Sequence, residues 1–417
     1  MRPLAEVQSE ILAAVSLQGA TRIPLGAALG TVLSEPVVAG ESVPPFANTA
    51  MDGYAVRAAD TDDATDGSPV RLRVVGELPA GRASTDAVGT GEAIRIMTGA
   101  PMPRGADAIV MVEHTERLDD DVVSVHAPAE PGDHVRPAGG DVVSGTKVFD
   151  IGTTLRAAHV GVLATLGLTE IAVYARPRVG VLSTGDELVE GPRELAPGQI
   201  RDSNRPMLLA MLAEAGCEPV DLGVARDDEA LITRRLERGI ERCDALLTSG
   251  GVSVGDYDYV KVALDRLGSL RWSQVAIRPA KPLAFGVVHG TPVFGLPGNP
   301  VSAFVSFELF ARPALLQMSG HWSIHRPQVG AIASEPMPRR VDGKLHFDRV
   351  RVRVDDSGRY RVAPSGVQAS NALAAMAAAD GLALLPDGPG VEAGDEVRVM
   401  LLHEPSAAVE PASGGRP

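Results

Sequence analysis

The chain has 417 residues, 45% of them hydrophobic but only 4% aromatic, so it is long enough for roughly two to four domains whose cores rest on Val, Leu, Ala and Ile. A formal net charge of −14 argues against nucleic acid and anionic membrane surfaces as partners. Two cysteines, Cys217 and Cys243, both in apolar surroundings, exclude a disulfide scaffold and a cysteine-type zinc site and point to buried thiols in a reducing compartment.

The first residues lack the apolar core of a signal peptide; instead Leu4, Val7, Ile11, Leu12 and Val15 recur at helical spacing. No stretch is long and apolar enough to span a membrane, so a cytoplasmic location is expected. Residues 37–43 read as extended and end at Pro44-Pro45-Phe46. Asn48, Thr49 and Asp52 then precede Tyr54, Val56 and Ala58, which alternate with Ala55 and Arg57 as a strand. Residues 70–139 are β-prone, with runs at 70–75, 92–97, 108–112 and 122–125. Thr98 stands at the break after the second run, and Asp141 follows Gly139-Gly140. Each of these polar turns, taken alone, is more often structural than functional. A helix at 157–166 ended by Gly167, a strand at 169–174 and Arg176-Pro177-Arg178 complete this half.

Residues 177–320 change character. Strand patterns at 179–182, 219–224, 245–247, 275–277, 284–288 and 292–294 mix with helical patterns at 206–215, 229–241 and 260–267. A last one runs on from Leu296, through a Gly-Pro turn capped by Asn299. Alternation of this kind predicts an α/β/α domain of three layers with a mostly parallel sheet, whose ligands bind at the C-terminal strand ends. Those ends carry STGDE, TSGGVSVGDYD and LPGNPVS. The middle one is the centre of the chain: an apolar run, then Ser249, Gly250, Gly251, Ser253 and Gly255, then Asp256 and Asp258 before a helix. Glycines let a backbone approach closely and amides at such a turn face an anion, so a phosphate or nucleotide-like ligand is expected. It is neither a Walker loop nor the dinucleotide fingerprint. A lone Gly-Gly-x-x-x-Gly is more often an ordinary turn; the weight comes from three polar, glycine-rich strand ends in one domain. Runs at 328–333, 345–354, 360–363 and 395–402, with a short helix between the last two, predict a small C-terminal β-barrel or sandwich, and residues 405–417 a disordered tail. The nine histidines show no paired metal spacing.

The ordered set AMDGYA, MTGAP, GGD, LSTGDEL, GQIRDSN, TSGGVSVGDYDY, KPLAF, LPGNPVS and GVQASNAL resembles the molybdopterin molybdotransferases, the MoeA family to which the E domain of gephyrin also belongs. The resemblance covers the chain from the first helix to about residue 403. It implies an elongated linker domain (1–45 with 140–176), a β-rich inserted domain (46–139), the α/β molybdopterin-binding domain (177–322) and a C-terminal β domain (325–404). It implies a homodimer with a shared cleft, and molybdopterin adenylyltransferase and molybdoenzymes as transient partners. The implied reaction takes adenylylated molybdopterin and molybdate, cleaves the pyrophosphate bond, releases AMP and places molybdenum in the dithiolene, with Mg2+.

By the same resemblance Thr184, Ser249, Gly250, Gly251, Ser253, Gly255, Pro297, Gly298 and Asn299 hold the nucleotide-like substrate. Glu187, Asp258 and Asp227 hold the cation, with Asp228 an alternative to Asp227. Arg278, Lys281, Ser302, Arg349 and Ser370 hold molybdate, a tetrahedral dianion that wants cationic and hydroxyl donors. Asp52, Thr98 and Asp141 come from the partner subunit, with Asp52 or Asp141 positioning water. Two departures stand out: Arg278 replaces a frequent Lys, and Gln274 stands where some members carry another Lys. The rival expectations are a catalytically weak paralogue, a gephyrin-like scaffold, and the preceding adenylyltransferase, against which the flanking β regions count.

Overall fold

The computed structural model describes residues 1–251, 259–268 and 270–405. The chain forms two compact units: Met1–Arg22, Gly30–Ser34 and Ala172–Pro417 in the first, Ile23–Leu29 and Glu35–Ile171 in the second.

In the first unit, the alternating strands and helices form a six-stranded sheet in the order Glu218–Ala225, Arg178–Thr184, Ala245–Ser249, Thr291–Leu296, Pro282–Val288, Arg271–Gln274. The first four strands run parallel and the last two add an antiparallel edge. Successive side chains point to opposite faces. Val179, Val181, Ala245, Leu247, Phe294 and Leu296 therefore bury one face against Leu4–Ala14, Asn204–Glu214 and the helical run 300–318. Leu182, Leu246 and Val293 bury the other face against Glu229–Ile240 and Tyr259–Leu267. The result is the three-layer domain expected from the sequence. Its second face packs closely: a Cβ on Gly180 would lie 2.6 Å from a Leu246 methyl, and one on Gly239 of the covering helix 2.9 Å from the same atom.

The helical run 300–318 is interrupted by a π turn, Phe307–Ala311, which the sequence pattern did not show. The strand expected at 275–277 is also different. Arg271–Gln274 belongs to the α/β sheet, whereas Ile277–Arg278 pairs in parallel with Leu345 and His346 of the next domain. One short segment thus joins two sheets.

That next domain is a closed barrel. Gln328–Ala333, Leu345–Val354, Tyr360–Pro364, Gly381–Leu385 and Glu396–Leu401 each bond two neighbours, and the pairing of Leu345–Val354 with Gly381–Leu385 completes the ring. Closure removes exposed strand edges. Gly381–Leu385 is not predicted from the sequence, because its apolar run follows an Ala-rich helix and periodicity does not separate the two. Phe347, Leu382 and Met400 of the barrel share one apolar core with Phe307 and Phe310.

The second unit holds a mixed six-stranded sheet in the order Ala108–Met111, Gly53–Val56, Glu92–Ile96, Val70–Leu78, Val122–Val125, Thr115–Asp119. The last strand, TERLD, is polar and mostly exposed, so hydrophobic patterning gave no sign of it. The strand expected through Ala58 stops at Val56, where a turn of 3-10 helix begins at Ala58. Elsewhere in this unit Val37–Val38 pairs with Lys147–Phe149, and the helix Ala157–Thr165 ends ahead of Gly167 at φ 73°.

Candidate active site

The chain leaves Arg178–Thr184 for a neighbour on one side and later enters Ala245–Ser249 on the other. The crevice between these two strand ends is the switch point where open α/β sheets bind ligands. Thr184 and Ser249 are buried there. Gly250 has φ 94°, and a Cβ on it would lie 2.7 Å from the Thr184 carbonyl oxygen, so glycine is required on both grounds. Its amide donates to the Leu296 carbonyl at 3.2 Å. Gly298 lies against it, since a Cβ there would stand 3.7 Å from Gly250 Cα. Pro297 is buried, whereas Gly298 and Asn299 are exposed. Asn299 occupies the N-cap position of Pro300–Ser306 but makes no capping bond, unlike the expectation. Ser253, Gly255, Asp256 and Asp258 lie outside the described residues.

The residue that joins these loops is Asn204, the last of the GQIRDSN motif, to which sequence reasoning gives no role. Asn204 Nδ2 donates to Ser249 Oγ and to the Gly298 carbonyl, each at 2.7 Å. One buried amide therefore holds the second and third strand ends together. The preceding Asp202 reaches the first, accepting from Ser183 Oγ at 3.1 Å. Arg205 anchors the segment through ion pairs to Asp202, Asp221 and Glu190.

Three carboxylates stand exposed at neighbouring strand ends. The Glu187 carboxylate folds over Gly185, 2.5 Å from where a Cβ would lie. The Asp227 amide donates to Asp186 Oδ1 at 3.2 Å, and the Asp186 amide to Asp227 Oδ2 at 3.4 Å. Asp228, the alternative ligand, is committed elsewhere: it caps its helix by accepting from the Leu231 amide at 2.7 Å. Oxygen donors of this kind suit a hard divalent cation. Among the described residues no three such groups converge on one point.

Beyond the helix start lies a cavity of about 420 Å³. Arg278, Lys281, Ser302, Arg349 and Ser370 all line it, from four separate segments of chain, whereas Gln274 does not. The backbone runs to it directly from the glycine loops, because the Val301 amide donates to the Ser370 carbonyl at 3.1 Å. Arg278 and Lys281 are exposed, and no described carboxylate lies within ion-pair distance of either. Arg339 and Lys344 also line the cavity but are held by Asp342, at 3.0 and 2.7 Å. The Lys344 hydrogen bond, the largest cause, and then His346 keep the Asp342 carboxyl at about 2. Arg349 is 1% exposed. Its Nη2 donates to the Val367 and Ala369 carbonyls at 2.7 and 3.2 Å, fixing the loop that carries Ser370. Its buried Nε has no partner, so the cavity wall holds a spare cationic donor. Burial pushes this guanidinium below its usual value, yet arginine stays charged.

In the second unit Asp52 and Thr98 form a pair. Asp52 Oδ1 accepts from the Thr98 amide and from its hydroxyl, each at 2.7 Å. The amide bond is the first cause of a depressed Asp52 carboxyl, which stays ionised on an exposed residue. The adjoining Gly53 is fixed by space: a Cβ would lie 2.1 Å from the Val110 carbonyl oxygen. Asp141 is exposed, and its amide donates to the Val43 carbonyl at 3.0 Å.

Comparisons with known proteins fall on the same segments. The profile of the MoeA N-terminal region (domain I and II) matches residues 2–167, that of a probable molybdopterin binding domain residues 180–317, and that of the MoeA C-terminal region (domain IV) residues 337–402. Molybdopterin molybdenumtransferase 2 of Mycobacterium tuberculosis is 42% identical over 411 residues, 96% of this chain and 100% of the relative. The molybdopterin molybdenumtransferase of Haemophilus influenzae is 34% identical over 402 residues, 96% of this chain and 98% of the relative. The crystal structure of the molybdopterin biosynthesis MoeA protein from Pyrococcus horikoshii superposes with a TM-score of 0.80 at 32% identity, covering 96% of this chain and all of that one.

Proposed function

The chain belongs to the MoeA family of molybdopterin molybdenumtransferases, and from that footing we propose that it inserts molybdate into adenylylated molybdopterin and releases AMP. The observation that carries the proposal is the single cavity lined by Arg278, Lys281, Ser302, Arg349 and Ser370, one short backbone path from the Gly250 and Gly298 loops. In this reading the glycine-lined strand ends receive the diphosphate, whose oxygens meet backbone amides that no Cβ obstructs. Asn204 fixes the spacing between those loops. The cavity receives molybdate, with Arg278 and Lys281 as free cations and Arg349 as a rigid donor whose desolvated Nε–H awaits an acceptor. Ser302 and Ser370 supply hydroxyls.

Glu187, Asp227 and Asp258 would hold Mg2+, with Asp186 as a fourth oxygen donor beside Asp227. Bound there, the cation would neutralise diphosphate charge. Asp52 and Thr98, with Asp141, act across a homodimer on the partner's site. The ionised Asp52 Oδ2 is the group that would orient the attacking water, and Thr98 holds the carboxylate in place.

The test is AMP release from adenylylated molybdopterin in the presence of Mg2+. Release that depends on molybdate and is lost in Lys281→Ala is the expected result. Release that is indifferent to molybdate removes the proposal.

A further inference from the structure

The molybdate cavity contains one group that does not belong with an anion. Among the described residues lining it, Asp348 is the one acid, set among Arg278, Lys281, Arg339, Lys344, His346 and Arg349. It follows Phe347 on the barrel strand Leu345–Val354 and precedes Arg349, whose side chain the cavity needs. No described residue hydrogen-bonds its carboxyl, and the residue is half-buried. Asp342, the nearby acid, is already engaged by Arg339, Lys344 and His346. Asp348 is therefore a partnerless carboxyl in the wall of an anion site.

An ionised carboxylate and a dianion in one cavity repel, and neither can donate a hydrogen bond to the other. Molybdate carries no proton at neutral pH, so it cannot supply one. We propose that Asp348 is a specificity-determining residue that binds molybdate as a neutral carboxylic acid, donating its proton to an oxo oxygen, so that each molybdate enters with one proton. The inference rests on the cavity being the molybdate site. It also sets the class of anion preferred: proton-free tetrahedral dianions meet the acid form, while hydrogen phosphate carries its own proton and meets the ionised form.

The surroundings agree with this sign. Burial, the largest influence, pushes the Asp348 carboxyl up, against the downward pull of His346, Arg349, Arg278 and Arg339. A bound dianion cancels part of that pull and pushes it up further. A group whose value rises on binding gives up affinity as pH climbs above its value in the free protein. Burial lowers His346, so it is uncharged in the alkaline range and does not supply the proton before binding. The arginines stay charged throughout.

The experiment is calorimetric titration of sodium molybdate into the full-length protein at about pH 8, in two buffers of different ionisation enthalpy, which counts protons. Wild type is expected to take up about one proton per molybdate, with affinity falling about tenfold per pH unit. Asp348→Asn should take up none, lose the pH dependence and bind molybdate more tightly than wild type at alkaline pH. Asp348→Glu should restore the proton uptake, which separates loss of the proton from general damage to the fold. Phosphate titrated into wild type should bring no proton. No uptake by wild type, or equal uptake by wild type and Asp348→Asn, overturns the assignment. If wild type shows no molybdate binding, the reading of the cavity itself fails and this inference with it.

Discussion

Asn204 holds two loops with one amide, and its neighbours explain why no other side chain serves. Both acceptors, Ser249 Oγ and the Gly298 carbonyl, need a donor from the same point, and an amide nitrogen has two hydrogens to give. Asn204→Asp keeps the shape but turns an acceptor toward the Gly298 carbonyl. It should cost about 1–3 kcal/mol in chemical denaturation and lower turnover further than that loss of stability explains. Gly250→Ala should abolish turnover, because it combines positive φ with a 2.7 Å approach to Thr184, whereas Gly298→Ala meets only an ordinary contact at 3.7 Å and should fold normally. A comparison of both variants by thermal melting and AMP release checks the contrast. Much of this is legible in the motifs, which place Ser249, Gly250 and Gly298 at strand ends. Asn204 closes the GQIRDSN motif, but the sequence gives it no role there, because that role depends on acceptors 45 and 94 residues further along the chain. Asp348 gives no signal for a different reason: a lone acid on an alternating strand has the look of a solvent-facing residue.

At the scale of elements, the site depends on how closely a helix can lie on the sheet. Gly180 and Gly239 open the space into which Leu246 and Leu222 pack, so the helix Glu229–Ile240 comes down onto the strand Arg178–Thr184. That helix begins at Asp228, beside the carboxylates at the strand ends. Gly180→Ala should therefore overpack the interface by about 1–3 kcal/mol and weaken diphosphate binding, measurable as a lower unfolding midpoint together with a higher KM. The alternating strands and helices identified this layer architecture in advance because period-2 and helical patterns are both strong there. The barrel was harder. Its closing strand Gly381–Leu385 is apolar at every position, and the segment 271–278 divides between two sheets, which no local pattern announces.

At the scale of the molecule, the proposal makes each catalytic site composite, with Asp52 and Thr98 given by one protomer and the cavity by its partner. Mixing two inactive variants, Asp52→Ala and Lys281→Ala, under conditions that exchange protomers should then restore about a quarter of wild-type turnover, since half the dimers are mixed and each has one intact site. Lack of rescue in a mixture shown to contain mixed dimers contradicts the shared cleft. The family resemblance, carried by motifs spread over the chain, is what suggests this arrangement, whereas the residues alone point only to a strand-end anion site. Whether the cavity between Lys281 and Ser370 holds the oxyanion can be seen in crystals soaked in molybdate and measured at the molybdenum absorption edge. One anomalous peak is expected within reach of Arg278, Lys281, Ser302, Arg349 and Ser370; an ordered molybdenum peak elsewhere on the chain with this cavity empty rules the molybdate site out.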